Sequence, residues 1–174
     1  TEFTYSRFLV PYLSDFVGRS VFMDADMVVT GDIKDLFDCV EGRAAVSVMQ
    51  EQPKFEWASM MVFNNTLCRQ LTPEWIDNPV NPPQALGWAG KVGSLPREWN
   101  YCVGYDEPRT DAKLVHYTQG VPCWPETRGC DSAWLWQREL EEMTSIGTWQ
   151  ELLGRSVHAQ SVLERYLREQ EKAA

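Results

Sequence analysis

Short apolar segments alternate with amphipathic ones along this chain, and this alternation limits the possible fold more than any other feature. Residues 8–16 carry apolar side chains three and four positions apart, which is typical of a helix. The next apolar segment, residues 21–23, is short and unalternating, which predicts a strand buried on both faces. Further strand patterns follow at 44–49, 58–63 and 113–117. Strands alternating with helices predict an α/β fold, with a sheet covered by helices.

The pattern from Cys130 onward is helical. Residues 133–143 form one helical segment, and residues 161–172 form another with a single apolar stripe. A chain of 174 residues, 44% of them hydrophobic, is long enough for one core but short for two. We therefore expect an α/β core over residues 1–128 and a C-terminal helical extension over residues 129–174, packed on the same domain.

Two aspartates, Asp24 and Asp26, directly follow the apolar residues 21–23. On an extended strand, carboxylates two positions apart point to the same side of the sheet. Without a partner they repel and raise each other's pKa, whereas a divalent cation between them and a phosphate keeps both ionised. Such a pair in a soluble protein usually consists of solvated turn residues. The buried strand predicted just before Asp24 favours a functional role, because burying charge without a partner is costly.

Three functional interpretations compete for this aspartate pair. An EF-hand calcium loop is excluded, because it needs an oxygen ligand at its fifth position and glycine at its sixth, where this chain has Val28 and Val29. A phosphohydrolase of the haloacid-dehalogenase type uses the first aspartate as nucleophile and the second as acid and base. That fold starts with this strand, whereas this chain starts with a helix and shows no later acidic motif. The third interpretation is the metal site of a nucleotide-sugar glycosyltransferase.

Charge and composition exclude several other classes. The formal net charge is -9, so nucleic acid is not an expected partner. The apolar stretches are broken well short of the ~20 residues that a bilayer span needs, so no transmembrane segment is expected. The 5 cysteines are widely spaced without a Cys-x-x-Cys, which favours neither a disulfide framework nor a zinc site. These features predict a protein of the reducing cytoplasm.

A histidine, His116, lies at the end of another apolar strand pattern and is followed by Gly120 and Trp124. Alone, a histidine in this position is more often structural than a metal ligand. Its presence in the same chain as Asp24 and Asp26 strengthens the ligand interpretation.

Five segments of the chain form a combination far more specific than an isolated Asp-x-Asp. They are "FTYSRFLVPYL", "VFMDADMVVTGDIKDLF", "WASMMVFNN", "SLPREWNY" and "LVHYTQGVPCW", and together they span most of residues 1–124. In this order they resemble the family 8 glycosyltransferases and their bacterial relatives. The resemblance implies a GT-A fold, with a mixed sheet flanked by helices. It also implies metal-dependent transfer of a sugar from a nucleotide-sugar donor, with retention at the anomeric carbon.

The resemblance also implies roles for individual residues. Asp24, Asp26 and His116 would bind Mn²⁺ or Mg²⁺, a cation that stabilises the negative charge developing on the leaving nucleoside diphosphate. Arg7 would lie beside the donor sugar and diphosphate. Other implied positions are Ala25, Ser59 and Trp124 at the donor and Gln84 in catalysis. For the serine and the glutamine, structural roles as a strand hydroxyl and a loop amide stay open.

Some positions depart from the family pattern. Family members carry a lysine six residues after the histidine, where this chain has Pro122, so Arg7 or Arg128 would have to contact the diphosphate instead. The Asn-Ser-Gly found near the sugar is replaced by Ala-Ser-Met at residues 58–60. Relatives begin with a strand and helix that bind the base, and no counterpart precedes Thr1, so we expect an incomplete donor pocket.

We predict a metal-dependent glycosyltransferase that moves a sugar from a UDP-sugar to a saccharide or lipid-linked acceptor. Its expected place is the cytoplasm or the periphery of the inner membrane. A truncated or degenerate copy without turnover is the first alternative, and the phosphohydrolase is the second. The aspartate pair and His116 favour activity, whereas the missing lysine and base-binding segment favour the degenerate copy.

Overall fold

The computed structural model describes residues 2–51 and 56–173, and it confirms the α/β class. The strands are β1 Arg19–Met23, β2 Met27–Val29, β3 Val46–Val48, β4 Met60–Asn64, β5 Val92–Ser94, β6 Tyr101–Cys102 and β7 Leu114–His116. The α-helices are α1 Glu2–Tyr5, α2 Val10–Leu13, α3 Ile33–Asp38, α4 Pro73–Ile76, α5 Ala133–Ile146, α6 Trp149–Leu153 and α7 Ala159–Ala173. Short 3-10 helices cover Ser6–Leu9, Asn65–Leu67, Pro83–Ala85 and Arg97–Trp99.

The first sheet has the strand order β1-β4-β3-β5. β4 lies between two antiparallel neighbours, and β5 pairs parallel with β3. All of β3 and nearly all of β4 are buried, whereas β1 is an edge strand and is only partly buried. The prediction that residues 21–23 are buried on both faces is therefore wrong. An apolar run does not reveal whether its strand has one neighbour or two.

The second sheet has the order β2-β7-β6, with β2 antiparallel and β6 parallel to β7. In this register both Met27 and Cys102 lie opposite His116. Since β1 belongs to the first sheet and β2 to the second, residues 24–26 are the direct connection between the two sheets.

The first helical segment changes from α to 3-10 conformation at Ser6 and back to α at Val10. Pro11 accounts for this interruption, because it has no N–H group with which to bond the carbonyl of Arg7. The segment still forms where the apolar spacing predicts a helix.

Only part of the apolar face predicted for residues 8–16 packs on the core. Phe8 is fully buried, but Tyr12 and Leu13 are 43% and 74% exposed. The helix ends at Leu13, and the following Asp15 and Phe16 have φ values of 51° and 55°. This left-handed backbone is incompatible with further helix and turns the chain toward β1.

The C-terminal helices α5 and α7 confirm the two predicted helical segments. The short α6 between them begins with a capping box of Thr148 and Glu151, a Thr-x-x-Glu signal that is visible in the sequence. Within the described ranges, no helix has the length and apolar character needed to cross a bilayer. The division into segments 1–128 and 129–174 stays a prediction, and its end points Thr1 and Ala174 lie outside the described residues.

Among residues 2–51 and 56–173, buried apolar side chains form three clusters. One surrounds Phe8 beside the first sheet, and a second contains Leu36 and Trp99. The third packs Leu135 of α5 against Tyr117, which follows β7. Helix α5 is thereby attached to the sheet that carries His116.

The turn after β4 is fixed by the fully buried Asn65. Its Nδ2 donates to the Val17 carbonyl at 2.8 Å, and its Oδ1 accepts from the Ser20 hydroxyl at 2.7 Å. The backbone N–H of Asn65 donates to the Gly18 carbonyl at 3.0 Å. These bonds hold the turn before β1 and the start of β1 against the end of β4.

We expect Asn65→Ala to lower the free energy of unfolding by about 1–3 kcal/mol, because it leaves buried polar groups without partners. Chemical denaturation measures this difference. The matched control is Asn64→Ala, whose side chain donates to the Gly42 carbonyl at 3.3 Å near the surface and should cost less than about 1 kcal/mol. Equal losses in the two variants would contradict the structural role of Asn65.

Candidate functional site

The connection 24–26 forms a turn whose two ends are bonded to different sheets. The Asp24 amide donates to the Ser59 carbonyl, just before β4, at 2.9 Å. The Tyr117 amide, just after β7, donates to the Asp26 carbonyl at 2.9 Å. Both aspartates therefore follow the strand, as predicted, but they lie in a turn and not on extended backbone. The turn brings their carboxylates together by a different route.

The three predicted metal ligands lie next to one another. His116 ends β7 and is 3% exposed, and its Nε2 lies 3.4 Å from Asp26 Oδ1. One donor atom from each of Asp24, Asp26 and His116 lies within 4.8 Å of the other two. Carboxylate oxygens with one imidazole nitrogen form a donor set that suits Mn²⁺ or Mg²⁺. These residues could hold one divalent ion.

A buried chain of hydrogen bonds orients the imidazole of His116. Its Nδ1 lies 3.1 Å from Asn100 Oδ1, and Nδ1 carries the hydrogen because an amide oxygen can only accept. In the neutral ring Nε2 therefore keeps its lone pair, near Asp26. Asn100 Nδ2 donates to Ser59 Oγ at 3.1 Å, and the Ser59 hydroxyl donates to the Glu56 carbonyl at 2.6 Å. These hydrogen bonds determine which ring nitrogen of His116 can bind a cation.

Sequence reasoning missed Asn100, Glu56 and Cys102. Each lies in or beside a segment that carries the family resemblance, but no spacing connects any of them to His116. Asn100 precedes β6, and the pairing of β6 with β7 brings it to the histidine. The sequence predicts no strand near residue 100, and a polar residue within a matching segment is a signal that many positions share.

Arg7 reaches Asp24 from the 3-10 helix Ser6–Leu9. Its Nη2 lies 3.3 Å from Asp24 Oδ1, its Nε donates to the Thr4 carbonyl at 3.0 Å, and its Nη1 donates to the Ala58 carbonyl. The guanidinium carbon also lies 4.8 Å from the centre of the Phe22 ring, a cation–π contact. These contacts fix a positive charge beside Asp24.

The pKa values of the two aspartates are shifted in opposite directions. Burial raises the pKa of Asp24, although Arg7 partly offsets this effect. Burial also acts on Asp26, but its contact with His116 outweighs this effect and lowers the pKa of Asp26. Burial, followed by the charges of the two aspartates, raises the pKa of Glu56. Bound positive charge would relieve this repulsion among carboxylates.

The two aspartates line a cavity of about 580 Å³. Its wall combines the first helical segment, the end of β1, the turn and the loop after β7, through Ser6, Arg7, Phe22, Met23, Ala25 and Val121. This volume lies in the range of small-molecule binding sites.

The other predicted site residues lie in different places. Ser59 is buried within the hydrogen-bond chain described above, and Gln84 is exposed on the 3-10 helix Pro83–Ala85. Trp124 is partly buried, and its ring centre lies 4.0 Å from the Arg165 guanidinium carbon. Arg128 is exposed. Neither Gln84 nor Trp124 is among the described residues that line the 580 Å³ cavity.

Comparison with known proteins gives one curated relative and several similar structures. No family model matches the chain. Protein CDI of Arabidopsis thaliana is 31% identical over 169 residues, covering 82% of this chain and 65% of that protein. The glycosyltransferase GlyE of Streptococcus pneumoniae TIGR4 has a TM-score of 0.53 at 20% identity, over 78% of this chain and 42% of GlyE. LgtC, a galactosyltransferase solved with donor and acceptor sugar analogues, has a TM-score of 0.55 at 14% identity, over 82% of this chain and 66% of LgtC.

The chain has the GT-A fold. The predicted fold is thereby confirmed, including a mixed α/β arrangement with flanking helices. At these identities the structural likeness concerns the fold alone. The chain spans 65% of the length of Protein CDI and 42% of the length of GlyE.

We expect Arg7→Gln to raise the pKa of Asp24 further, because the variant removes the positive charge that favours the ionised carboxylate. Carbon-13 NMR titration of the aspartate carboxyl carbons measures this change. Arg19→Gln is the matched control, because Arg19 is exposed and donates to the Phe37 carbonyl. An unchanged pKa of Asp24 in Arg7→Gln would show that the ion pair does not act on the carboxylate.

Proposed function

We propose that the chain is the catalytic part of a metal-dependent glycosyltransferase that uses a nucleotide-sugar, with UDP-sugar as the donor and retention at the anomeric carbon. The observation that carries the proposal is the meeting of Asp24, Asp26 and His116 within 4.8 Å beside a ligand-sized cavity. The GT-A fold supports it. GlyE is described as a glycosyltransferase, and LgtC binds donor and acceptor sugar analogues.

In this proposal Asp24, Asp26 and His116 hold Mn²⁺ or Mg²⁺. A bound divalent cation supplies Lewis-acid stabilisation of the charge that develops on the leaving diphosphate. The residues of the chain perform the positioning. The turn positions the two aspartates. Asn100 Oδ1 accepts a hydrogen bond from Nδ1 of His116, which keeps the Nε2 lone pair available.

Arg7 supplies the second positive charge of the proposed donor site. Its guanidinium is directed by bonds to two backbone carbonyls and by the ion pair with Asp24. Because Arg7 also lines the cavity, it can favour a diphosphate there without first being ordered. We therefore assign it the role left open by the lysine missing at Pro122.

The remaining assignments follow from the family resemblance and from the placement of each residue. Ala25 lines the cavity, which supports contact with the donor. The hydrogen bonds of Ser59 support an indirect role through Asn100 and His116. Gln84 in catalysis and Trp124 at the donor stay proposals from the resemblance.

The proposed partners are a nucleotide-sugar and a saccharide or lipid-linked acceptor. The proposed location is the cytoplasm or the periphery of the inner membrane. None of the 5 cysteines, all within the described residues, forms a disulfide, which suits a reducing compartment. A phosphohydrolase of the haloacid-dehalogenase type receives no support from the GT-A fold.

Calorimetric titration with UDP and UDP-sugars, with and without Mn²⁺, tests the proposal. We expect binding that requires Mn²⁺ and that weakens at least about tenfold in Asp26→Asn, because one carboxylate ligand is lost. Asp38→Asn, on the exposed end of α3, is the matched control and should bind like the unchanged chain. A phosphatase assay runs alongside.

The outcomes separate the three interpretations. Metal-dependent nucleotide binding with sugar transfer supports the glycosyltransferase. Nucleotide binding without any transfer to saccharide acceptors supports the degenerate copy, as does a complete absence of binding. Release of inorganic phosphate from phosphate esters would contradict both and support the phosphohydrolase.

Asn100→Ala tests how the histidine is oriented. We expect the affinity for Mn²⁺ to fall about 10–100-fold, because loss of the amide frees the imidazole to rotate and to change tautomer. Electron paramagnetic resonance measures free Mn²⁺ directly. Asn81→Ala, which removes a 2.9 Å bond to the Trp75 carbonyl, is the control and should leave the affinity unchanged. Equal affinities in the two variants would contradict the positioning role.

A further inference from the structure

A second group of potential metal ligands shares His116 with the aspartates. Donor atoms of Glu56, Cys102 and His116 lie within 4.8 Å of one another. Cys102 ends β6, is 2% exposed, and has its Sγ 3.6 Å from His116 Nδ1. The register of β6 and β7 pairs Cys102 directly with His116, so the sheet itself holds the thiol at this distance. Glu56 is the partly exposed member of the group and borders solvent.

The distance between sulfur and nitrogen fits two ligands of one zinc ion. Bond lengths of about 2.3 Å to sulfur and about 2.0–2.1 Å to nitrogen, at a tetrahedral angle, separate the two ligand atoms by about 3.5–3.6 Å. The observed 3.6 Å therefore requires no movement of either strand, but the hydrogen bond between Nδ1 and Asn100 Oδ1 must break. Sulfur, imidazole nitrogen and carboxylate oxygen are ligands of Zn²⁺, whereas Mn²⁺ and Mg²⁺ favour oxygen.

The two ligand groups need opposite tautomers of the same ring. With Nδ1 bonded to Asn100, the hydrogen is on Nδ1, and Nε2 is the nitrogen available to a cation beside Asp26. A cation bound between Cys102 and Nδ1 requires the hydrogen on Nε2, from which it is donated to Asp26 Oδ1, 3.4 Å away. A neutral imidazole therefore serves one group at a time.

We propose that Glu56, Cys102 and His116 form a second metal site, for a thiophilic divalent cation such as Zn²⁺, and that its occupation excludes the ion held by Asp24, Asp26 and His116. Binding moves the Nδ1 proton to Nε2 and releases the thiol proton of Cys102 to solvent, so the ligand is a thiolate. Zn²⁺ is thereby an inhibitor of the proposed transferase. This exclusion rests on the proposed function, whereas binding of the cation by Cys102 does not.

The same contact would also suit a thiolate nucleophile activated by histidine. The burial of Cys102 argues against that role, because the sulfur of a residue that is 2% exposed cannot reach an electrophile of substrate size. A metal ion is small enough to enter from the side of Glu56. The three different donor types around one point also match a cation better than they match an acyl or glycosyl group.

Titration of the metal-free chain with Co²⁺, a spectroscopic substitute for Zn²⁺, tests the second site without any nucleotide. We expect a thiolate-to-Co²⁺ charge-transfer absorption that Zn²⁺ abolishes. Cys102→Ser should lose the absorption and bind Zn²⁺ at least about tenfold more weakly. Cys68→Ser is the matched control, because Cys68 is fully buried and donates to the Ala45 carbonyl, and it should keep the absorption.

Glu56→Gln provides an independent variant, since this partly exposed residue can change without disturbing the strands. It should keep the thiolate absorption and weaken Co²⁺ binding. Absence of the absorption in the unchanged chain, or its persistence in Cys102→Ser, would overturn the site.

Competition measured by electron paramagnetic resonance tests the exclusion. Zn²⁺ should release bound Mn²⁺ from the unchanged chain at a concentration at least about tenfold lower than from Cys102→Ser. Release at the same concentration from both would overturn the exclusion. If the chain shows the Co²⁺ absorption but binds no Mn²⁺, the proposed function fails while the thiolate site stands.

Discussion

The three-residue connection between β1 and β2 is the constraint on which the site depends. One end is bonded to the first sheet through the Ser59 carbonyl, and the other is bonded to the second sheet through the Tyr117 amide. The backbone of Asp24 and Asp26 is therefore held between the two sheets. The free energy of folding of the whole domain offsets the electrostatic repulsion between the two carboxylates. The site is consequently organised before a ligand arrives, which is the condition for effective electrostatic stabilisation.

Local charge at this turn differs from the charge of the surface as a whole. The formal net charge of -9 repels an anionic nucleotide at long range. Beside the turn, Arg7 is paired with Asp24, and His116 adjoins Asp26. A divalent ion between the carboxylates would be the largest charge nearby and would reverse the sign of the local potential. An acidic protein can thus attract a diphosphate at one place while its overall charge disfavours nucleic acid.

Sequence patterns were sufficient for the α/β class, for the strands at 44–49, 58–63 and 113–117, and for the long C-terminal helices. Apolar periodicity reports these features because each depends on which side of one element is buried. The partly exposed position of β1 depends on how many strands lie beside it, which its own residues do not encode. Asn100 and Cys102 meet His116 through a strand register, and a shift of one residue would have placed other side chains there.

Helix α7 covers part of Trp124 through Arg165, whose guanidinium carbon lies 4.0 Å from the ring centre and which pairs with Glu126. A sugar ring or base stacking on that side would need the space that the guanidinium occupies. Access to the aromatic face is therefore a competition between a ligand and an arginine of the same chain. Because the Arg165–Glu126 ion pair is exposed, rising ionic strength weakens this pair, which helps to keep the guanidinium over the Trp124 ring. Salt concentration thereby acts on an aromatic surface that itself carries no charge.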